Sequence, residues 1–248
     1  KIAFQILTNA TQFAKELKPA DLFLLMNNWN NVEIIRAPKV KLMVVSNLAL
    51  QGIDLLIGNS YEINQIKSLV KKYAPLKEIV LITGETGTGK ELVAKALHQE
   101  GLFNKEPFLA INCGALTDSL LESELFGYEA GSFTGALKQK KGIFEAAGKG
   151  TVFLDEFGDI SSKLQVSLLR VLESNEIRMI GGTNNRKIEC RIIVATNIEL
   201  KRVVAEKKFR EDLYFRLARL EINLQPLRER KKDIPALVNY FLEGSSSI

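Results

Sequence analysis

Short apolar runs alternate with amphipathic stretches from Leu56 onward, a pattern that indicates an α/β domain built on a parallel sheet. Four of the runs are predicted to be buried strands: Ile79–Thr83, Phe108–Asn112, Thr151–Asp155 and Ile192–Thr196. Two stretches are predicted to be helices: Glu91–His98 and Lys163–Glu173. The runs Ile177–Ile180 and Lys187–Cys190 flank a segment rich in glycine and asparagine, so they predict a hairpin or a loop.

Residues 1–56 have a different pattern. The apolar runs Asp21–Leu25 and Lys41–Val45 flank a stretch, Asn30–Arg36, that is compatible with a helix, which is typical of part of a βαβ unit. The segment weakly resembles part of a response-regulator receiver domain. Such a domain has an acidic phosphoacceptor after its central strand, whereas Met26 and Asn27 follow the first apolar run here. We therefore interpret residues 1–56 as a linker or a degenerate receiver-like segment, with two-component signalling as the expected context.

The composition is that of a globular chain with one large domain or two small ones, since 46% of the 248 residues are hydrophobic and 25% are charged. Lys and Arg exceed Asp and Glu by 34 to 29, which favours a solvated surface and leaves a polyanion site as the alternative. No apolar run reaches the roughly 18–20 residues of a membrane helix, so no membrane contact is expected. Cys113, Cys190 and the single histidine, His98, are too few for a Cys/His metal cluster, and reduced thiols suit a cytoplasmic location.

A glycine-rich segment, Gly84–Lys90, lies directly between a predicted strand and a predicted helix and fits the pattern G-x-x-x-x-G-K. Glycines let the backbone point several N–H groups at phosphate oxygens, and the helix N-terminus adds partial positive charge. Lys90 supplies a point charge for the outer phosphates. The sequence therefore predicts a nucleotide site. Glu91 replaces the usual Ser or Thr magnesium ligand, so a magnesium ion would depend on phosphates, water and another carboxylate.

Polar residues follow several of the predicted strands. Asp155 and Glu156 end the run Thr151–Leu154 at the sheet edge where α/β proteins bind ligands. Asp155 is predicted to hold Mg²⁺ and Glu156 to polarise the attacking water, with a surface acid pair as the alternative. Asn197 and Asn112 end two other strands, where each is either a hydrogen-bond partner of the phosphate or its water, or an ordinary turn residue.

With these motifs in order, the chain resembles the AAA+ ATPases, and within them the sigma-54-dependent transcription activators (bacterial enhancer-binding proteins), from about Leu56 to Leu242. The most specific element is the hexapeptide Gly131, Ser132, Phe133, Thr134, Gly135 and Ala136. It matches the G-A-F-T-G-A loop of these activators, with Ser132 in place of alanine, and the resemblance implies that it contacts sigma-54. From the residues alone, the hexapeptide is either a mobile loop that exposes Phe133 and Thr134 to a partner, or a plain hairpin.

The resemblance assigns further roles. Asn197 corresponds to the sensor I residue, and Asn112 to the residue that restrains the catalytic glutamate, Glu156. Arg210 and Arg216 correspond to arginine fingers that reach the γ-phosphate of a neighbouring subunit, although from sequence alone they are the solvated face of a helix. Glu91 is usual in this family. The residues predicted to bind ATP are Ile57, Gly58, Gly84, Glu85, Thr86, Gly87, Thr88, Gly89, Lys90, Glu91 and Leu92.

The fold implied is a P-loop AAA+ three-layer αβα core with a parallel sheet, in which residues 57–227 form the ATPase core and 228–248 begin a helical lid that is largely missing. The implied function is an Mg²⁺-dependent ATPase that interacts with sigma-54 and remodels RNA polymerase holoenzyme as a hexameric or heptameric ring. DNA would be bound only through a domain absent from this chain. Two alternatives stay open: a truncated non-catalytic module that binds nucleotide or sigma factor, and an AAA+ remodeller with another target.

Overall fold

The computed structural model describes the backbone of residues 50–245 and the side chains of residues 50–242. The predictions made for Asp21–Leu25, Asn30–Arg36 and Lys41–Val45 lie outside these residues. The division into a core at 57–227 and a lid segment at 228–248 stays a prediction. Within residues 50–245, no helix is long and apolar enough to cross a membrane.

A five-stranded parallel sheet forms the centre of the molecule, with the strand order β2-β5-β8-β1-β9. Its strands are β1 (Val80–Gly84), β2 (Phe108–Asn112), β5 (Thr151–Asp155), β8 (Arg191–Thr196) and β9 (Leu220–Leu224). Two separate antiparallel pairs are formed by β3 (Gly127–Tyr128) with β4 (Lys140–Lys141), and by β6 (Glu176–Arg178) with β7 (Asn185–Lys187). All four predicted core strands are present in this sheet, to within one residue at each end. The fifth, β9, was not predicted.

Helices cover both faces of the sheet. They are α1 (Tyr61–Tyr73), α2 (Lys90–Gln99), α3 (Asp118–Phe126), α4 (Ile143–Ala146), α5 (Ser162–Ser174), α6 (Leu200–Ala205), α7 (Glu211–Leu217) and α8 (Ile234–Ser245). Both predicted helices, α2 and α5, are confirmed. Ser161 caps the start of α5 by accepting a hydrogen bond from Leu164 N, and Asn175 ends the helix in the left-handed conformation.

Two apolar cores lie on opposite faces of the sheet because side chains alternate along each strand. Leu81, Leu154 and Val194 pack with α3, α5 and α7 in one core. Val80 and Ile82 face the other side and pack with α1 and α2. This arrangement confirms the predicted three-layer α/β fold.

The predicted hairpin after α5 is present as the antiparallel pair β6 and β7. Its second strand is Asn185–Lys187, so the predicted run Lys187–Cys190 overlaps it at Lys187 alone. The register pairs Arg178 with Asn185, and the guanidinium of Arg178 donates to Asn185 Oδ1 from Nε at 3.2 Å. Asn185 therefore belongs to the strand rather than to the turn, because its side chain has a cross-strand partner.

Arg191, at the start of β8, ties the ends of two helices to the sheet. Its buried guanidinium donates to the carbonyl oxygens of Tyr73 and Ala74 at the C-terminal end of α1, at 2.8 and 3.0 Å, and to that of Leu97 in α2, at 3.1 Å. A cation is favourable at helix C-termini, where carbonyl groups lack intrahelical partners. This contact fixes α2, the helix that begins at the glycine-rich segment.

Candidate nucleotide-binding site

The glycine-rich segment connects β1 to α2 as predicted. Gly84, Gly87 and Gly89 have φ angles of 153°, 84° and 98°, in the region that side chains disfavour. A Cβ at Gly84 would also lie 2.6 Å from the carbonyl oxygen of Leu224, so the close approach of β9 requires glycine there. The curled loop leads into the N-terminus of α2, whose first N–H groups have no intrahelical acceptor and are suited to bind an anion.

Lys90 is buried within this loop. Its Nζ donates to the carbonyl oxygens of Gly84 and Glu85 at 2.9 and 3.1 Å. Burial lowers the pKa of Lys90, and the nearby carboxylates of Asp155 and Glu156 oppose that shift. The lysine therefore shares one electrostatic environment with both acids at the end of β5.

Asp155 and Glu156 differ in their surroundings. Burial raises the pKa of Asp155, while the hydrogen bond that its Oδ1 accepts from Glu156 N, at 2.9 Å, and the charge of Lys90 lower it. Glu156 has φ 52° and ψ 40°, a left-handed conformation that costs a non-glycine residue about 1 kcal/mol or more. That conformation turns the chain away from the sheet and brings the Glu156 carboxylate against Gly114, where a Cβ would lie 2.6 Å from Oε2.

Asn112 lies beside the acid pair, since it is the register partner of Asp155 between β2 and β5. Its Oδ1 accepts a hydrogen bond from Ala115 N at 3.0 Å and caps the short turn Cys113–Ala115. Among the described residues, no hydrogen bond joins Asn112 to Glu156. The restraining role of Asn112 therefore stays a prediction, whereas its turn-forming role is visible.

Asn197 reaches the glycine-rich loop directly. Its Nδ2 donates to Thr86 Oγ1 at 3.1 Å, across 111 positions of the chain. Thr196, at the end of β8, is buried and accepts a hydrogen bond from Ile198 N at 3.0 Å, which orients the turn that carries Asn197. The ends of β1, β5 and β8 thus bring Lys90, the acid pair and Asn197 to one edge of the sheet.

The two arginines after α6 are engaged elsewhere within the chain. Arg210 forms a bidentate ion pair with Asp212, with a shortest distance of 2.6 Å. Arg216 donates from Nε and Nη2 to the carbonyl oxygen of Leu172 at 3.0 and 2.6 Å. Across residues 50–242, neither forms a hydrogen bond or an ion pair with the glycine-rich loop, and the role of both as arginine fingers stays a prediction.

The hexapeptide Gly131–Ala136 lies between the paired strands β3 and β4. Gly131 N donates to Ala136 O at 2.8 Å, which closes the loop, and Thr134 is exposed at its tip. Phe133 is 47% exposed and meets the ring of Tyr128 edge-on, with 4.9 Å between the centroids. Ser132 points inward: its hydroxyl is buried without a hydrogen-bond partner, and a Cβ at Gly181 would lie 2.6 Å from Ser132 Cβ.

A cavity of about 430 Å³ opens beside the glycine-rich loop. Its walls include Glu85, Thr86, Gly87, Thr88, Gly89, Leu92, Ile57, Leu237, Tyr240 and Phe241. The volume lies within the range of sites that hold small ligands. Of the four predicted ATP-binding residues outside the loop, two line the cavity, Ile57 and Leu92. Gly58 packs against Asp233, and Glu91 is paired with Lys95.

Sequence reasoning missed the contacts that the segment after β9 makes with the glycine-rich loop. Arg228 forms a bidentate pair with Glu85, in which Nη1 lies 2.7 Å from Oε2, and this pair holds the pKa of Glu85 below its usual value. Arg230 Nη2 donates to the carbonyl oxygen of Thr88 at 3.1 Å. The sequence signals these contacts only by a cluster of charges at positions 228–233, which by itself predicts the start of a lid.

Comparison with known proteins identifies the family of this chain. The family model described as the sigma-54 interaction domain matches residues 56–223. The Nif-specific regulatory protein of Herbaspirillum seropedicae is 47% identical over 197 residues, covering 78% of this chain and 36% of the relative. The putative uric acid sigma-54-dependent transcriptional regulator UacR of Escherichia coli K12 is 49% identical over 191 residues, covering 77% of this chain and 32% of the relative.

Among solved structures, NtrX from Brucella abortus in complex with ATP superposes with a TM-score of 0.71 at 36% identity, over 77% of this chain and 41% of that one. The chain spans about a third of the length of the curated relatives it matches. The family model covers more than half of the chain, and relatives that are 47–49% identical align with more than three quarters of it. This chain therefore belongs to the sigma-54 interaction domain family of bacterial transcription activators.

Proposed function

We propose that this chain binds and hydrolyses ATP with Mg²⁺ and uses the reaction to act on the sigma-54 form of RNA polymerase holoenzyme in transcription activation. The observation that carries the proposal is the convergence of Lys90, Asp155, Glu156 and Asn197 on one glycine-rich loop in a chain of this family. The ATP complex of NtrX, which shares the fold, supports a nucleotide as the ligand.

The residues at the site fit a magnesium nucleotide. Mg²⁺ prefers oxygen ligands and usually keeps several waters, with one or two carboxylates and substrate phosphates completing the shell. Asp155 offers such a carboxylate, whereas Glu91 is paired with Lys95 at 2.8 Å on the surface of α2. We therefore assign the magnesium contact to Asp155. The ion would supply positive charge to the phosphates during transfer.

The chain's own residues divide the remaining work. Lys90 and the N–H groups at the start of α2 bind the outer phosphates, and Asn197 orients the terminal phosphate or its water. Glu156 polarises the attacking water, since its carboxylate stands at the turn after β5. Arg210, which is exposed, would leave Asp212 for the γ-phosphate of a neighbouring subunit, and Arg216 would act beside it. This sharing of a site requires an oligomer, for which we propose a hexameric or heptameric ring.

The hexapeptide loop is the proposed contact with sigma-54. Its aromatic Phe133 and the hydroxyl of Thr134 are exposed at the tip, where small residues on either side permit movement. ATP hydrolysis would change the position of this loop and so transmit force to the polymerase. DNA contact is proposed to belong to parts of the activator other than this domain.

ATP hydrolysis measured against protein concentration tests the proposal, with Glu156→Gln as the matched variant. We expect a rate per subunit that rises with concentration and is lost in the variant, while the variant still binds ATP. Binding without hydrolysis in the wild-type chain would favour a non-catalytic module. Hydrolysis without binding to sigma-54 in a trapped nucleotide state would favour an AAA+ remodeller with another target.

A further inference from the structure

A buried carboxylate outside the glycine-rich loop anchors one wall of the cavity. Asp233 has no exposed surface, and its carboxylate accepts three hydrogen bonds of 2.7 Å each, from Asn59 N, Ser60 N and Ser60 Oγ. Gly58 packs so closely that a Cβ there would lie 2.5 Å from the carboxyl carbon of Asp233. Asp233 therefore fixes the segment that directly follows Ile57, a residue of the cavity wall.

Arg230 connects the same carboxylate to the glycine-rich loop. Its side chain is 11% exposed, with Nη1 3.6 Å from Asp233 Oδ2 and Nη2 donating to the carbonyl oxygen of Thr88 at 3.1 Å. A third bond, from Nε to Gln225 O at 3.2 Å, holds the guanidinium against the chain after β9. Because the guanidinium is a planar fork, the contacts on one edge orient the other edge. Asp233 thus acts on Thr88 through Arg230.

The two walls that this pair joins have different chemistry. The glycine-rich loop presents backbone N–H groups and the start of α2, which suit phosphates. Apolar side chains of the same lining, including Leu55, Ile57 and Leu237, suit an uncharged planar ring. A ligand that carries both a ring and phosphates must match the separation of the two walls, whereas a bare polyphosphate needs the loop alone.

We propose that Asp233 and Arg230 are positioning residues that set the separation between the apolar wall at Ile57 and the glycine-rich loop, and thereby favour nucleotides over bare polyphosphates. This inference rests on the nucleotide binding in the proposed function. Neither residue is assigned a role at the reacting groups, although Arg230 itself lines the cavity. Both act through the segments they hold, because a wall displaced by a fraction of an ångström costs affinity for a ligand that spans the site.

Calorimetric titration of the whole chain with ADP and with inorganic tripolyphosphate tests the pair. Asp233→Asn keeps the side-chain shape but turns one acceptor oxygen into an NH₂ donor, which opposes the N–H groups of Asn59 and Ser60. We expect the Kd for ADP to rise about tenfold, as for the loss of one charged hydrogen bond. The Kd for tripolyphosphate should change less than about twofold, as for a surface substitution. Glu229→Gln, an exposed carboxylate of the same segment, should change neither.

A purely structural role would weaken both ligands in proportion, because the folded fraction would fall. Equal weakening of both ligands, or an unchanged Kd for ADP, overturns the proposal. Arg230→Lys keeps the charge without the fork and should weaken ADP selectively as well. It decides the question if Asp233→Asn does not fold. If the wild-type chain binds neither ligand, the nucleotide site of the proposed function is refuted. If the wild-type chain binds ADP and the variant binds it equally well, the positioning role of the pair alone is refuted.

Discussion

Removing the guanidinium of Arg191 should destabilise the domain substantially. Arg191→Met keeps most of the side-chain volume but deletes the donors to three carbonyl groups. The carbonyl of Tyr73 keeps a second hydrogen bond, which it accepts from Leu76 N. The main loss therefore falls on the carbonyls of Ala74 and Leu97, to which Arg191 also donates. At about 1–1.5 kcal/mol for each, the free energy of unfolding should fall by about 2–3 kcal/mol.

One feature of Arg191 limits the size of this effect. Burial lowers the pKa of the guanidinium to about 10, and its Nε is buried without a partner, so the folded state holds this charge at some cost. Arg191→Met removes that cost, so the decrease in the free energy of unfolding is smaller than the sum of three charged hydrogen bonds. At neutral pH the arginine is still fully protonated in both states.

Urea unfolding followed by far-UV circular dichroism measures the change. The midpoint should fall with the m-value unchanged, since the buried area is nearly the same. Arg202→Met is the matched control, because the side chain of Arg202 is 75% exposed and should have little influence on stability. If Arg191→Met is no more destabilising than Arg202→Met, the helix-anchoring role of Arg191 is wrong.

Two further predictions concern His98 and Ser132. Burial, and secondly the charge of Arg191, lower the pKa of His98 in the folded state. The neutral imidazole therefore contributes fully to stability above the unfolded pKa of about 6.5, and this contribution is lost as the pH falls below that value. Because His98 is the sole histidine of the chain, its imidazole NMR signals report the titration directly, and a midpoint above 6.5 would contradict the burial argument. Ser132→Ala removes a buried hydroxyl that has no partner and should raise the free energy of unfolding by about 1 kcal/mol. Thermal unfolding checks this against the exposed Ser162→Ala, and a lower melting temperature for Ser132→Ala would show that the hydroxyl has a stabilising role.

Three of the four strands that the sequence predicted share one property. β1, β5 and β8 lie inside the sheet and read as continuous apolar runs, a pattern that needs no knowledge of neighbouring elements. β2, at one edge of the sheet, was still predicted because residues 108–111 are all apolar. β9, at the other edge, was missed because it is not a continuous apolar run. Glu221 and Asn223 interrupt it, and Ile222 and Leu224 alone are buried. Its pairing with β1, rather than its own hydrophobicity, makes it a strand.

Local motifs were sufficient to find the phosphate loop, the acid pair and the exposed hexapeptide, because each depends on residues adjacent in the chain. The contacts of Asp233 with Asn59 and Ser60 join positions more than 170 residues apart. No spacing rule connects such positions, so their role appears only when the segment after β9 folds back over the loop. The partner of Asn197 was likewise hidden until β8 was placed beside β1.

The sequence by itself determined the fold class, the family resemblance and the position of the glycine-rich loop between a strand and a helix, since periodicity and backbone chemistry act over a few residues. The tertiary structure decided which side chains share an environment. It placed Lys90 within the electrostatic influence of Asp155, held Arg210 against Asp212, and paired Arg230 with the buried Asp233. These relations depend on strand order and on burial, which are set by the packing of the whole chain.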